Sequence, residues 1–421
     1  MNPLNLKKLQ NGSDIRGIAL AGTPGEEVNL TEEAASLLTT GFCTWLARKT
    51  GKAPAELTIS IGHDPRLSAE SLKSAAIRAM TGLGISVLDS GLASTPAMFM
   101  STVFPEYRCD GAIMITASHL PKNRNGFKYF DADGGLTKSD IAEIIALAEE
   151  APAAANAGSA AAPGVCGRVR PCDLMDTYCR HLRQLIQEGV HAENPGGCSA
   201  AVADHVPTYA RPLAGLSIVI DAGNGAGGFY AEKVLAPLGA DVSASQFLTP
   251  DGNFPNHAPN PEDSEAMRSV SGKVLSSGAN LGLIFDTDVD RSAAVDENGR
   301  AIARDGIVAL ASALIARENP KSTVVTDSIT SNPLRDFLEN TLGLSQLRYK
   351  RGYKNVINKA IELNGQGINC PLAIETSGHA AFKENYFLDD GAYLATKIVI
   401  EAALLAREGK NISCVLRELK E

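Results

Sequence analysis

Short apolar runs bounded by polar turns recur along the chain, separated by stretches with helical spacing. L-T-I-S-I-G (57–62) leads into the turn H-D-P-R-L-S, a helical pattern over 69–81 and the run G-L-G-I-S-V-L. The same order returns as L-S-I-V-I-D (216–221), A-G-N-G-A-G-G, a helix over 229–237 and L-G-A-D-V-S. It returns again as T-V-V-T-D (323–327), S-I-T-S-N, a helix over 333–341 and L-G-L-S-Q-L. Strand, turn, helix, glycine turn, strand, repeated three times, predicts three successive similar α/β domains.

Each half-unit is followed by a further apolar run: G-A-I-M-I (111–115), L-G-L-I-F (281–285) and P-L-A-I (371–374). The loops T-A-S-H, D-T-D-V-D-R and E-T-S-G-H come next, in equivalent positions. Ligands of open α/β sheets sit beyond the carboxyl ends of the strands, so the three loops are expected to converge on one central cleft. The stretch 151–164, rich in alanine, glycine and proline and nearly uncharged, reads as a linker. An amphipathic helix follows, with Leu174, Tyr178, Leu182 and Ile186 on one stripe and Asp173 as its cap. Residues 189–214 read as an irregular surface insertion. The expected domains are 1–150, a linker at 151–165, 166–300 and 301–421.

Composition narrows the class. A chain of 421 residues, 44% hydrophobic, is long enough for several cores. Its net charge of −9 argues against a nucleic-acid binder. An anionic substrate would depend on local basic residues. The eight cysteines form no C-x-x-C pair or zinc spacing and read as reduced thiols of a cytoplasmic protein. The first ten residues carry no secretory apolar stretch, and no run is long enough to cross a bilayer.

The loops carry the chemistry. In T-A-S-H-L-P-K-N-R-N-G-F-K, Ser118 has His119, Lys122, Arg124 and Lys128 nearby. These could activate a hydroxyl or favour a phosphate on it; the bland alternative is a turn closed by Pro121 and Gly126. Asp286, Asp288 and Asp290 would point the same way in an extended loop, as an oxygen-only site for Mg²⁺ or Ca²⁺. An EF-hand would place Glu297 at its twelfth position, but Arg291 replaces the needed glycine and strands replace the helices; a solvated acidic turn is the plainer alternative. Glu375, Ser377 and His379 suit sugar hydroxyls, although a capped turn looks the same. The run 348–354, with Arg351 and Lys354, either holds a phosphate or is a solvated turn. The glycine-rich turn 221–228 admits a dinucleotide reading, but its spacing is G-x-G-x-G-G and Asp241 precedes the next strand; close strand-to-helix packing explains the glycines better.

Together these residues resemble the α-D-phosphohexomutases of the phosphoglucomutase/phosphomannomutase type. D-I-R-G around Arg16, T-A-S-H-x-P, D-x-D-x-D-R and E-x-S-G-H carry the likeness, with G-H-D-P-R-L-S, D-A-G-N-G-A-G and F-P-N-H-A-P-N-P-E in support. The resemblance implies mixed sheets sandwiched by helices around the cleft. It implies a phosphoserine at Ser118 and Mg²⁺ held by Asp286, Asp288 and Asp290, with the Ser118 phosphate as a further ligand. Arg16, His119, Lys128 and Arg291 would surround the transferring group, Lys128 as general acid/base with its pKa lowered by nearby cations. Glu375, Ser377 and His379 would bind the sugar. The reaction would interconvert hexose 1- and 6-phosphates of glucose or mannose through a hexose 1,6-bisphosphate, in a monomer or weak dimer.

Departures accompany the likeness. Thr287 and Val289 stand where many relatives carry glycine, and Ile374 where a glycine often precedes E-x-S-G-H. The family's fourth-domain loop, R-x-S-x-T-E-P, is not found, so the fourth domain is expected to be absent. Either the sequence is an incomplete gene product or another segment replaces its grip on the second phosphate, for which the basic run with Arg351 and Lys354 is the visible candidate. The competing expectation is a catalytically impaired or regulatory sugar-phosphate-binding protein that keeps the metal and phosphoserine sites.

Overall fold

Strand alternation decides the two faces of the first sheet. In the computed structural model, which describes residues 5–151, 167–192 and 208–420, Ile59, Ile61, Val87, Ile113, Ile115, Phe127 and Tyr129 share one core with Leu38, Phe42, Leu46, Ile141 and Ile144. Those partners belong to the helices Glu32–Thr50 and Lys138–Glu150. The opposite parity meets the helix Thr95–Val103: Ser60 Oγ lies 2.5 Å from Ser101 Oγ, and Phe130 packs on Phe99 with centroids 6.0 Å apart. One sheet is thus covered on both faces, as mixed and parallel sheets require.

Contacts divide the chain into two units, Met1–Met175 with Asp251–Asn253, and Asp176–Pro250 with Phe254–Glu421. The first contains the strands Gln10–Asn11, Asp14–Ile18, Arg124–Asp131, Gly111–Ile115, Thr58–His63, Ser86–Leu92 and Val169–Pro171, in that spatial order. The last of these pairs in parallel with Ser86–Leu92, so this sheet takes a strand from beyond the expected linker. Most of that linker, at 152–165, lies outside the described residues.

The second unit holds two sheets. One runs Ala301–Ile302, Ser292–Val295, Leu281–Phe285, Ile218–Asp221; the other runs Ser345–Tyr349, Thr323–Asp327, Leu372–Ile374, Ala380–Phe382, Leu388–Asp389. All three sheets repeat one device. A strand parallel to the first of its half-unit turns back through a loop into an antiparallel neighbour: Gly111–Ile115 into Arg124–Asp131, Leu281–Phe285 into Ser292–Val295, Leu372–Ile374 into Ala380–Phe382. The loops so formed hold Ser118, the aspartates and Glu375, which bears out their equivalent positions.

Two expected elements take another form. The helix over 229–237 is a π turn, Tyr230–Leu235, followed by a tight turn at Ala236–Leu238, where Pro237 removes a donor. The helix over 333–341 is α only at Asn332–Asp336 and widens to π over Phe337–Thr341. L-G-A-D-V-S yields isolated bridges, Ser217 to Asp241 and Asp221 to Gln246, rather than a strand. Asp241 accepts from the Ser243 amide and Ser245 donates its own to Val242, so local turns take the groups a ladder needs.

The stripe Leu174, Tyr178, Leu182 and Ile186 is buried on the helix Leu174–Ala192. That helix carries order beyond 189, the expected start of the insertion; 193–207 lie outside the described residues. The helix Gly391–Arg407 packs against the sheet of the acid loop: Thr396 Oγ1 lies 2.9 Å from Tyr230 Oη, and the Gly391 amide donates to Val289 O at 3.1 Å. Among the described residues the cysteines are free thiols, and burial pushes Cys109 and Cys370 up to about 11. No helix among the described residues is long and apolar enough to cross a membrane.

Candidate active site

The serine loop hangs on one buried arginine. Arg66 is 2% exposed and donates to the carbonyls of Ser118 (2.5 Å), Leu120 (2.6 Å), Pro121 (2.8 Å) and Arg124 (3.0 Å). Asp64 balances its charge at 3.2 Å and accepts from Thr116 Oγ1 at 2.7 Å, while Thr116 Oγ1 accepts from the Ser118 amide at 2.9 Å. Ser118 itself is held at φ +49° with its Oγ 3.3 Å from His119 Nδ1. A non-glycine residue in that region costs about 1–3 kcal/mol and persists only where its surroundings over-determine it.

Positive charge gathers beside this loop. Arg16 donates to Thr116 O at 2.5 Å and to Asp14 Oδ2 at 2.8 Å; Lys128 Nζ lies 3.6 Å from the same carboxylate oxygen. Both basic side chains thus converge on the Asp14 carboxylate beside the serine loop. Gly126 makes the approach possible, since a Cβ there would meet Ile15 O at 2.1 Å and Thr116 O at 2.8 Å. Arg16, Ser118, His119 and Lys128 therefore belong to one cluster in the first unit. Asp64, Asp14 and Arg66, which hold it together, were not singled out from sequence. Asp64 and Arg66 fall in the quoted string G-H-D-P-R-L-S, where a charged pair between apolar runs was the available signal.

In the second unit Asp286, Asp288 and Asp290 are fully buried, with one carboxylate oxygen of each within 4.8 Å of the others. They converge for a reason different from the expected strand alternation. The segment is a tight connection between antiparallel strands, with Phe285 opposite Ser292, and Val289 turns it at φ +66°. That angle is a genuine outlier for a β-branched residue, and it accounts for glycine being acceptable there. Glu297 lies past the next strand and accepts from Asn298 and Ser413, and strands rather than helices flank the loop, so no EF-hand forms.

Arg291, 1% exposed, donates to Asp286 at 3.2 Å and to Asn260 at 3.2 Å, and lies 3.5 Å from Glu262. Burial alone would lower its pKa, but Asp286, Asp290 and Asp288 outweigh that and raise it. Three buried carboxylates with converging oxygens form an all-oxygen donor set that fits a hard divalent cation such as Mg²⁺.

Glycines let neighbouring segments close on this loop. A Cβ on Gly225 would meet Thr287 Cα and O at 2.9 Å, and the Ala226 amide donates to Thr287 O at 2.8 Å. A Cβ on Gly378 would lie 2.5 Å from Ser292 O, and one on Gly391 2.5 Å from Arg291 C. The glycine-rich turn 221–228 is therefore accounted for by packing against the acid loop, and Asp241 sits in a turn of its own.

The third loop docks on the second through an antiparallel bridge between Arg291 and His379. His379 Nδ1 bonds Asp389, and its ring stacks on Tyr353 at 5.2 Å. Burial opposes its protonation, but the Asp389 and Asp290 charges outweigh that and raise its pKa to about 9. Glu375 accepts from the Gly352 amide at 2.6 Å; burial raises its carboxyl pKa, with His379 acting in the opposite sense. Ser377 is 7% exposed. Arg351 lies 3.9 Å from Glu262, and Lys354 is half-buried on the first turn of the helix Tyr353–Gly365. Arg348, by contrast, is spent on Thr330, Ser331 and Asn332. Two of the three loops thus meet within the second unit. Asn260, Glu262 and Asp389 also join it; the first two lie in the quoted F-P-N-H-A-P-N-P-E, whereas nothing local marked Asp389.

Family models agree with this architecture: phosphoglucomutase/phosphomannomutase alpha/beta/alpha domain I matches residues 7–154, domain II 200–299 and domain III 303–421. The chain belongs to this family. Among relatives of the phosphoglucomutase/phosphomannomutase family, the phosphoglucomutase of Neisseria gonorrhoeae is 31% identical over 388 residues, 92% of this chain and 73% of that protein. The phosphoglucomutase/phosphomannomutase of Thermococcus kodakarensis is 31% identical over 414 residues, 98% of this chain and 80% of that one. A phosphoglucomutase/phosphomannomutase family structure from Burkholderia thailandensis superposes with a TM-score of 0.74 at 26% identity, covering 97% of this chain and 79% of that one. A putative phosphomannomutase from Thermus thermophilus, at 19% identity and a TM-score of 0.71, shares the fold.

Proposed function

We propose that this protein is a phosphohexose mutase that interconverts hexose 1-phosphate and hexose 6-phosphate, of glucose and/or mannose. The phosphoryl group would travel through Ser118 and a hexose 1,6-bisphosphate. The observation that carries the reading is the trio Asp286, Asp288 and Asp290, fully buried with oxygens within 4.8 Å of one another. Such a cluster is costly without a cation, and a family of phosphosugar mutases gives that cation a use. Mg²⁺ held by the trio would supply charge neutralisation for phosphoryl transfer.

The chain's own residues would do the rest. Arg16 would supply positive charge near Ser118, with His119 beside its Oγ and Lys128 as the unprotonated base, and Arg291 would do so beside the acid loop. Glu375 and Ser377, with His379 beside them, hold sugar hydroxyls, and Arg351 and Lys354 take the phosphate that is not transferring. The phosphorus–oxygen bond at Ser118 breaks as one forms to the sugar hydroxyl; the hydroxyl's proton passes to Lys128 and ends on Ser118 Oγ. The bisphosphate turns over, and its other phosphate returns to Ser118 by the reverse transfer. Phosphoryl transfer asks chiefly for positioning and charge stabilisation, and this inventory supplies both.

In this reading 1–150 is the phosphoserine-loop domain, 151–165 the linker, 166–300 the metal-binding-loop domain and 301–421 the sugar-binding-loop domain. The protein acts in the cytoplasm as a monomer or weak dimer. The test is turnover: the chain with Mg²⁺, hexose 1-phosphate and a trace of hexose 1,6-bisphosphate should form hexose 6-phosphate. Formation no greater than in Ser118→Ala would leave a sugar-phosphate-binding protein instead.

A further inference from the structure

Beyond the loops, the second unit contains a cavity of about 1130 Å³ whose wall includes Arg304, Arg351, Arg417 and Lys420. A smaller one of about 300 Å³ shares Glu262, Arg304 and Thr376 with it and is bounded also by Ser377 and Gly378. Common walls make the two adjoining compartments, a narrow one at the sugar loop and a wide basic one. The narrow one is lined by a hydroxyl in need of a partner. Ser377 is 7% exposed, and its Oγ has no hydrogen-bond partner among the described residues. A buried hydroxyl in that state lacks a hydrogen bond that a ligand hydroxyl would restore.

The charges of the wide compartment are unequally engaged. Its anions are occupied: Glu262 by Arg291 and Arg351, Asp305 by the Ser331 amide, Asp296 by the Asn298 and Arg300 amides. Arg304 is exposed and makes no side-chain hydrogen bond or ion pair among the described residues. It stands at the head of the helix Asp305–Ala316 with φ 53° and ψ −123°, a strained conformation for an L residue. A strained, uncommitted guanidinium shared by both compartments is placed to meet an anion whose neutral body reaches Ser377.

We propose that Arg304, flanked by Arg351 and Arg417, binds the phosphate of a phosphosugar whose hydroxyl is held by Ser377. The inference rests on the mutase reading and adds to it a phosphate-binding residue outside the three loops.

Calorimetry on the full chain tests it, with glucose 6-phosphate, inorganic phosphate and glucose as titrants. Arg304→Gln and Arg304→Gly, the second of which also relieves the backbone, should each weaken glucose 6-phosphate about tenfold or more, the loss expected for a charge-assisted contact. Inorganic phosphate should bind wild type more weakly than the phosphosugar does. Unchanged glucose 6-phosphate affinity in both variants, or inorganic phosphate binding as tightly as the phosphosugar, would overturn the proposal. A parallel reaction with saturating hexose 1,6-bisphosphate separates the two readings. Labelling of wild-type Ser118 alongside unchanged variant affinities removes Arg304 and keeps the mutase; neither labelling nor phosphosugar binding by wild type removes both.

Discussion

Arg66 fixes the reactive loop of the first unit through its carbonyls rather than through the Ser118 hydroxyl. Its buried guanidinium ties the carbonyls of residues 118, 120, 121 and 124 to the buried Asp64 carboxylate. Arg66→Met leaves Asp64 buried and four carbonyls short of a donor. Loss of one partner from a buried pair costs about 3–5 kcal/mol, so urea unfolding should show a drop of that order; a loss below about 1 kcal/mol would contradict the role. At this scale the sequence was legible where a motif named the residue type, as with Ser118 and the aspartates. It was opaque where a role depends on several distant carbonyls meeting at one point, as with Arg66, or on a partner that only the fold brings close, as with Asp389 and His379.

At the scale of elements, the acid loop is shaped by what packs around it. Gly225 has φ −77°, which any residue can adopt, so Gly225→Ala tests contact alone. Its new methyl would press on Thr287 at 2.9 Å. The expected outcome is weaker Mg²⁺ binding by calorimetry with an unaltered far-ultraviolet dichroism spectrum; unchanged affinity would mean that the close approach does not shape the loop. The same turn contains an ion pair, with His257 Nε2 3.0 Å from Asp221. Burial lowers the His257 pKa, but Asp221 outweighs that and the net shift is upward. A histidine pKa raised by folding contributes stability in full below the unfolded value of about 6.5, and the contribution fades as pH rises through the folded value. The stability gap between wild type and Asp221→Asn should therefore be larger near pH 6 than near pH 9 in urea titrations; a gap constant with pH would contradict the pairing. The three strand–loop–strand devices were readable as repeated apolar runs. The π turns at Tyr230–Leu235 and Phe337–Thr341 were not, because a change from i+4 to i+5 bonding leaves the apolar spacing almost untouched.

For the whole molecule, repetition made the α/β class and its three sheets legible, since each half-unit announces itself by the same order of elements. The strand Val169–Pro171 escaped because it is three residues long, exposed along its length and distant in sequence from the strand Ser86–Leu92 that it pairs with. Cation binding should register globally. A ligand held only by the folded state at a hundredfold excess over its Kd adds about 2.7 kcal/mol, so Mg²⁺ should raise the melting temperature of wild type and much less that of Asp288→Asn. An equal rise in both would place the cation elsewhere.

The central claim is that a phosphoryl group resides on Ser118 in a manner that depends on the aspartate trio. Its most direct test is peptide mass spectrometry after incubating the full chain with hexose 1,6-bisphosphate and Mg²⁺. The expected result is one phosphate on the peptide containing Ser118, not formed when EDTA replaces Mg²⁺ and strongly reduced in Asp288→Asn. Phosphate on another residue, or none on Ser118 with Mg²⁺ present, would contradict the account.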